Sequence, residues 1–167
     1  RSTREELDVL FDKLRAEIPG VVIRTSLITG LPGEDEEAFE ELCTWLKKYK
    51  LERVGAFAFS PEEGTAAAKM EFPEEEIAVR RAEIVSELQS RIMDEYNEAR
   101  MDTVMEVLCE GYDPEEDRYY GRTYADSPDI DGRVLFESES TVKVGTFVMV
   151  RITDVCDGDL CGYVEEA

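Results

Sequence analysis

Any chemistry in this chain has to come from carboxylates, thiols, arginines and backbone groups, because its 167 residues include no histidine. The residues whose types and spacing stand out are Arg24, Ser26, Ile28 and Gly30, alternate positions of the run VVIRTSLITGLPGE that begins at Val21. Alternation puts them on one face of a strand with Val22, while Val21, Ile23, Thr25, Leu27 and Thr29 share the other. An arginine and a serine within an apolar strand need polar partners, and a glycine at its carboxyl end lets another group approach the backbone. Two readings follow. Either Arg24 pairs with an interior carboxylate and Gly30-Leu31-Pro32-Gly33 is a plain tight turn, or the face receives a ligand.

The elements that would position these residues can be read on either side of them. The nine residues from Val21 to Thr29 are almost all β-branched or apolar, which predicts a strand buried on both faces. It breaks at the glycine turn and enters a helix capped by Asp35, with Phe39, Leu42, Cys43 and Leu46 as the apolar stripe and Lys47, Lys48 and Lys50 at the carboxyl end. A junction of strand, glycine turn and helix is where α/β proteins place ligands. Upstream, Ser2 or Thr3 with Glu5 or Glu6 predicts a capped helix carrying Leu7, Leu10, Phe11 and Leu14 and ending before Pro19-Gly20. The chain thus reads as starting in the middle of a structure.

Downstream, VGAFAF from Val54 to Phe59 predicts a second buried strand, completing a βαβ unit and requiring a parallel sheet. Ala56 and Ala58 alternate with Phe57 and Phe59, a pattern that suits core packing or a cofactor wall. Pro73 followed by three glutamates starts a long helix whose apolar face, from Ile77 to Tyr96, runs as far as about Arg100. After Arg100 the period becomes two. Strands are expected at 103–110, 118–124, 132–136, 145–153 and 159–164, which predicts a small antiparallel five-stranded β-barrel of the oligonucleotide-binding kind. The fold class is therefore α/β, with residues 1–100 forming parallel strands and helices and residues 101–167 forming the barrel.

The charge limits the partners. Forty acidic residues face nineteen basic ones, giving a net charge of -21. The barrel segment holds nine Asp and eight Glu against one Lys and four Arg, a net -12, and residues 1–100 carry the other -9. Phosphate binding needs clustered positive charge, so free nucleic acid is a poor partner and a basic protein surface a better one. The single basic-aromatic cluster of the barrel is Arg118, Tyr119, Tyr120, Arg122 and Tyr124, which could stack on bases or simply form the two faces of a strand. Cys43, Cys109, Cys156 and Cys161 show no CxxC pair, which predicts reduced thiols of a cytoplasmic protein and no metal site. No apolar stretch approaches the roughly 20 residues of a membrane helix.

These motifs carry a resemblance. LITGLPGEDEEAF and FAFSPEEGTAA resemble the carboxyl-terminal part of the radical S-adenosylmethionine barrel of the methylthiotransferase family, and residues 101–167 resemble its appended TRAM domain. GYDPEEDRYYGRTYADSPDIDG, from Gly111 to Gly132, is similar to the RimO branch, which modifies an aspartate of small-subunit ribosomal protein S-twelve, rather than to the branch acting on transfer RNA. The resemblance implies a partial TIM-like barrel, S-adenosylmethionine and two [4Fe–4S] clusters as cofactors, and a basic ribosomal protein, alone or in the ribosome, as partner. It implies Ile28, Gly30 and Glu34, with Arg24, as positions beside S-adenosylmethionine; the basic-aromatic residues Arg118, Tyr120, Arg122 and Tyr124 are the candidates for substrate contact on their residue types alone. The CxxxCxxC motif of the family has no match here, so no catalytic or metal-binding residue is expected in this segment, and it should be inactive on its own as the carboxyl-terminal portion of a longer enzyme. A transfer RNA methylthiotransferase and a non-catalytic acidic interaction module are the alternatives.

Overall fold

The structure is a computed structural model that describes residues 3–165. The chain divides into two compact units, one up to Met93 and one from Asp94.

The first unit opens with helix α1 (Arg4–Glu17). Thr3 caps it as expected, its hydroxyl accepting the Glu6 N–H while the Glu6 carboxylate accepts the Thr3 N–H. Strand β1 (Arg24–Thr29), helix α2 (Glu36–Tyr49) and strand β2 (Arg53–Ala58) then form the βαβ unit, with β1 and β2 parallel. Asp35 accepts the Ala38 N–H at the start of α2, and Lys50, at φ 44, ends it. Helix α3 (Glu75–Glu98) begins two residues after Pro73 and extends past the boundary between the units.

The core of this unit lies on one side of the sheet. Phe39 and Leu46 of α2 and Val85 of α3 pack with Leu27, Val54 and Ala56. Pleating sends the intervening residues the other way, and that face is open: Arg24 and Ser26 are exposed, Ile28 is 50% exposed and its cross-strand neighbour Phe57 is 59% exposed. This corrects the expectation of a strand buried on both faces. β1 also starts at Arg24 rather than Val21. Helices cover one face only, and alternation in sequence tells which residues share a face without telling what lies against it. Glu52, buried to 7% exposure, ties the strand entrances together by accepting the Ile23 N–H at 2.9 Å and pairing with Arg15 at 2.6 Å.

The second unit contains β3 (Val104–Asp113), β4 (Arg118–Arg122), β5 (Val134–Glu137), β6 (Phe147–Cys156) and β7 (Asp159–Val164). They close into a barrel in the order β3-β4-β5-β7-β6, with β6 returning to β3. Every expected strand is present. One pairing differs from the all-antiparallel expectation: β5 and β7 run parallel, because the Greek-key path brings the last strand beside the third. Val107, Cys109, Val134, Phe136, Val150, Ile152 and Leu160 fill the interior. Gly121 and Gly162 are needed where strands cross closely, since a Cβ there would sit 2.1 Å from the Leu108 carbonyl oxygen and 2.0 Å from that of Arg151. The β6–β7 turn is Asp157-Gly158, with φ of 51 and 89, the positive pair that a two-residue hairpin turn requires.

Candidate functional site

The residues singled out around β1 fall into two groups. Arg24 and Ile28 lie on the open face beside Ser26, opposite Arg53, Phe57 and Gly55 of β2. Their surface is a short apolar strip, Ile28 against Phe57, with a guanidinium and a hydroxyl further along the strand. Gly55 contributes no side chain, and a Cβ there would come within 3.3 Å of the Phe57 ring.

Gly30 and Glu34 serve the turn that ends β1. Gly30 has φ +79, and a Cβ on it would lie 2.3 Å from the Ala78 Cβ of α3, so only glycine lets the helix come this close. The buried Thr29 hydroxyl donates to the Ala78 carbonyl oxygen at 2.9 Å. Glu34 accepts the Gly30 N–H at 2.8 Å and a guanidinium N–H of Arg81 at 2.9 Å. Arg81 also donates to the Glu34 carbonyl oxygen at 3.0 Å and to Glu36 at 3.1 Å. Burial opposes the charge of Arg81, but its hydrogen bonds to Glu36 and Glu34 outweigh it and hold the guanidinium protonated above its ordinary range. The glycine turn is thus clamped to α3 through Ala78 and Arg81. Sequence reasoning missed both, since neither stands near the turn in the chain.

In the barrel the basic-aromatic cluster does not form a single surface. Pleating turns Tyr119 inward, where it stacks on Phe136 with ring centroids 5.7 Å apart. Tyr120 lies over Gly111, with the Arg133 guanidinium 5.5 Å from its ring. Arg122 pairs with Glu110 at 2.8 Å, and Tyr124 is 74% exposed beyond the end of β4. Arg118 pairs with Glu137 at 3.6 Å and lines a cavity of about 760 Å³. Tyr112, Tyr119, Glu116, Asp117 and Glu137 also line this cavity.

The thiols are all free. Cys109 and Cys161 are buried within the barrel unit and Cys156 is exposed. Burial, with Cys156 adjacent, pushes the Cys161 thiol up to about 12, so it stays protonated at neutral pH. Among the described residues no group of three or more Cys, Asp or Glu side chains is arranged to hold a metal ion. The thiols therefore do not fit an iron–sulfur cluster, which needs at least three such ligands. Among the described residues no helix is long and apolar enough to cross a membrane.

Known proteins share both units. Residues 103–164 match the family model described as the TRAM domain. Nearly the whole chain is similar to proteins named ribosomal protein uS12 methylthiotransferase RimO. It is 44% identical over 166 residues to that of Acetivibrio thermocellus, covering 98% of this chain and 36% of the relative. It is 42% identical over 165 residues to that of Clostridium botulinum strain Langeland, covering 98% and 37%. It is 41% identical over 163 residues to that of Caldanaerobacter subterraneus subsp. tengcongensis, covering 96% and 36%. The chain spans little more than a third of the length of these curated relatives.

Proposed function

We propose that this TRAM-containing chain, similar along nearly all its length to RimO methylthiotransferases, is the carboxyl-terminal portion of a radical S-adenosylmethionine enzyme that adds a methylthio group to an aspartate of ribosomal protein uS12. The observation that carries the reading is the 44% identity over 166 residues, which takes in both units. The acidity of the barrel supports it independently, because a net charge of -12 on residues 101–167 suits encounter with a basic protein and opposes binding of transfer RNA.

In this reading the open face of β1 and β2 borders the S-adenosylmethionine site. Ile28 and Phe57 offer apolar surface to a flat base, and Arg24 with Ser26 offers polar contacts along the strand. Gly30 and Glu34 act through shape: the hydrogen bond between them, and the grip of Arg81 on Glu34, fix where β1 ends and which way its last side chains face. When bound, S-adenosylmethionine and the iron–sulfur clusters would together supply the methyl group, the sulfur and the one-electron chemistry that methylthio transfer needs. The cluster ligands belong to the remainder of the enzyme, so the chain alone is inactive, and the complete protein works in the cytoplasm, where ribosomes are its source of substrate.

The test is a titration of the chain against ribosomal protein uS12 at several salt concentrations, with transfer RNA as competitor. Saturable binding that weakens as salt rises and resists transfer RNA is expected. Tight binding to transfer RNA instead would move the chain to the transfer RNA branch, and binding to neither would leave a non-catalytic acidic module.

A further inference from the structure

We propose that the cavity at the β3–β4 end of the barrel receives an arginine or lysine side chain of the basic polypeptide substrate. This rests on the reading above and gives it a place on the surface. The cavity, about 760 Å³, is framed by Tyr112 at the end of β3, Glu116 and Asp117 in the turn, Arg118 and Tyr119 at the start of β4, and Glu137 at the end of β5.

Its aromatic walls form a corner. The rings of Tyr112 and Tyr119 have centroids 5.1 Å apart and planes 61° apart. Both are held in place before any ligand arrives. Tyr119 stacks on the buried Phe136, and its hydroxyl accepts the Val142 N–H at 3.3 Å. The Tyr112 hydroxyl donates to Asp117, which sits at φ 55. A corner already built loses little side-chain entropy when it is filled.

The charge of the cavity selects the ligand. Three carboxylates face one guanidinium, and Arg118 is already engaged by Glu137 at 3.6 Å. An anion would meet net repulsion. A cation gains from the aromatic surface of the half-exposed Tyr112 and from carboxylates able to accept its N–H groups. At about 760 Å³ the cavity has room for a basic side chain and for part of the polypeptide that carries it. The surrounding barrel, with its net negative charge, draws such a chain toward the opening.

The test compares two triple variants of the whole chain for binding to ribosomal protein uS12 at fixed salt. One is Glu116→Gln, Asp117→Asn, Glu137→Gln, which removes the charges of the cavity and keeps shape; asparagine tolerates the positive φ of position 117. The control is Glu106→Gln, Asp129→Asn, Asp157→Asn, an equal charge change at exposed positions elsewhere in the barrel unit. The cavity variant should bind about tenfold more weakly and the control less than about twofold more weakly. Should the cavity triple melt well below the parent, Glu137→Gln alone, whose side chain is 67% exposed, takes its place with an expected loss of about threefold. Equal losses in the two variants, or parental binding by the cavity variant, would overturn the cavity while leaving the acidic barrel as a binder of a basic protein. No binding by the unaltered chain would overturn that broader reading and the cavity with it.

Discussion

The five strands of the second unit close on themselves, whereas β1 and β2 of the first, among the described residues, pair only with each other. Closure leaves no unpaired sheet edge and surrounds one continuous core, in which Val107, Cys109, Val134, Phe136, Val150 and Ile152 are fully buried. The two-stranded sheet has helices on one face and Ile28 and Phe57 bare on the other. The two units thus differ in which residues serve stability and which are left for contact. In the barrel nearly every inward position is fixed by packing. In the parallel sheet, one face is fixed by packing and the end of β1 by a polar clamp, and the second face carries the exposed Ile28 and Phe57.

Phe136→Ala should break the barrel side of this contrast most severely. The ring is wholly buried and stacked on Tyr119, so its loss should cost about 4 kcal/mol in the denaturant transition of the barrel unit. A cost below about 1 kcal/mol would mean that the interior is not a single close-packed core. Next comes Gly30→Ala, which adds both positive-φ strain and a clash with Ala78; about 3 kcal/mol should be lost in thermal melting of the unit up to Met93.

Arg81→Met probes the clamp. It leaves the Glu34 carboxylate, with a side-chain exposure of 13%, without its guanidinium, and should cost about 2 kcal/mol. Adding Glu34→Gln should recover part of that loss, because the amide oxygen can still accept the Gly30 N–H while the stranded charge is gone. A double variant less stable than the sum of its parts would contradict the pairing. The smallest effect belongs to the bare face: Ile28→Ser, at a half-exposed position, should change stability by less than about 0.5 kcal/mol while weakening S-adenosylmethionine binding by the complete enzyme. A large loss of stability in the chain by itself would show that the face is packed after all.

Much of the fold could be read from the chain, because its signals are local. Thr3 and Glu6 announce α1, Asp35 announces α2, and the change from helical period to period two after Arg100 marks where the barrel strands begin. The parallel β5–β7 pair could not be read, since alternation looks the same in parallel and antiparallel strands. The site was harder for a related reason. Glu34 and Arg81 lie far apart in sequence, and nothing near either names the other. Arg118, Tyr120 and Arg122 looked like one cluster because they are close in sequence. Each instead has its own partner, and the useful neighbour of Arg118 proved to be Glu137, brought there by the register of β4 with β5.

The Asp157-Gly158 turn has a consequence in time. A two-residue hairpin needs almost no loop closure, so β6 and β7 can pair within microseconds of the chain being released. The β3–β4 hairpin is nearly as local, joined through the residues between Asp113 and Arg118. The seam between β3 and β6 has to wait, because it brings Val104 to Arg151 across most of the unit. Folding of the barrel should therefore begin with two independent hairpins and be limited by the rate at which they find each other. Damage within either hairpin would then slow refolding, since both are formed before the limiting step, while damage to seam contacts made after that step would show mainly as faster unfolding.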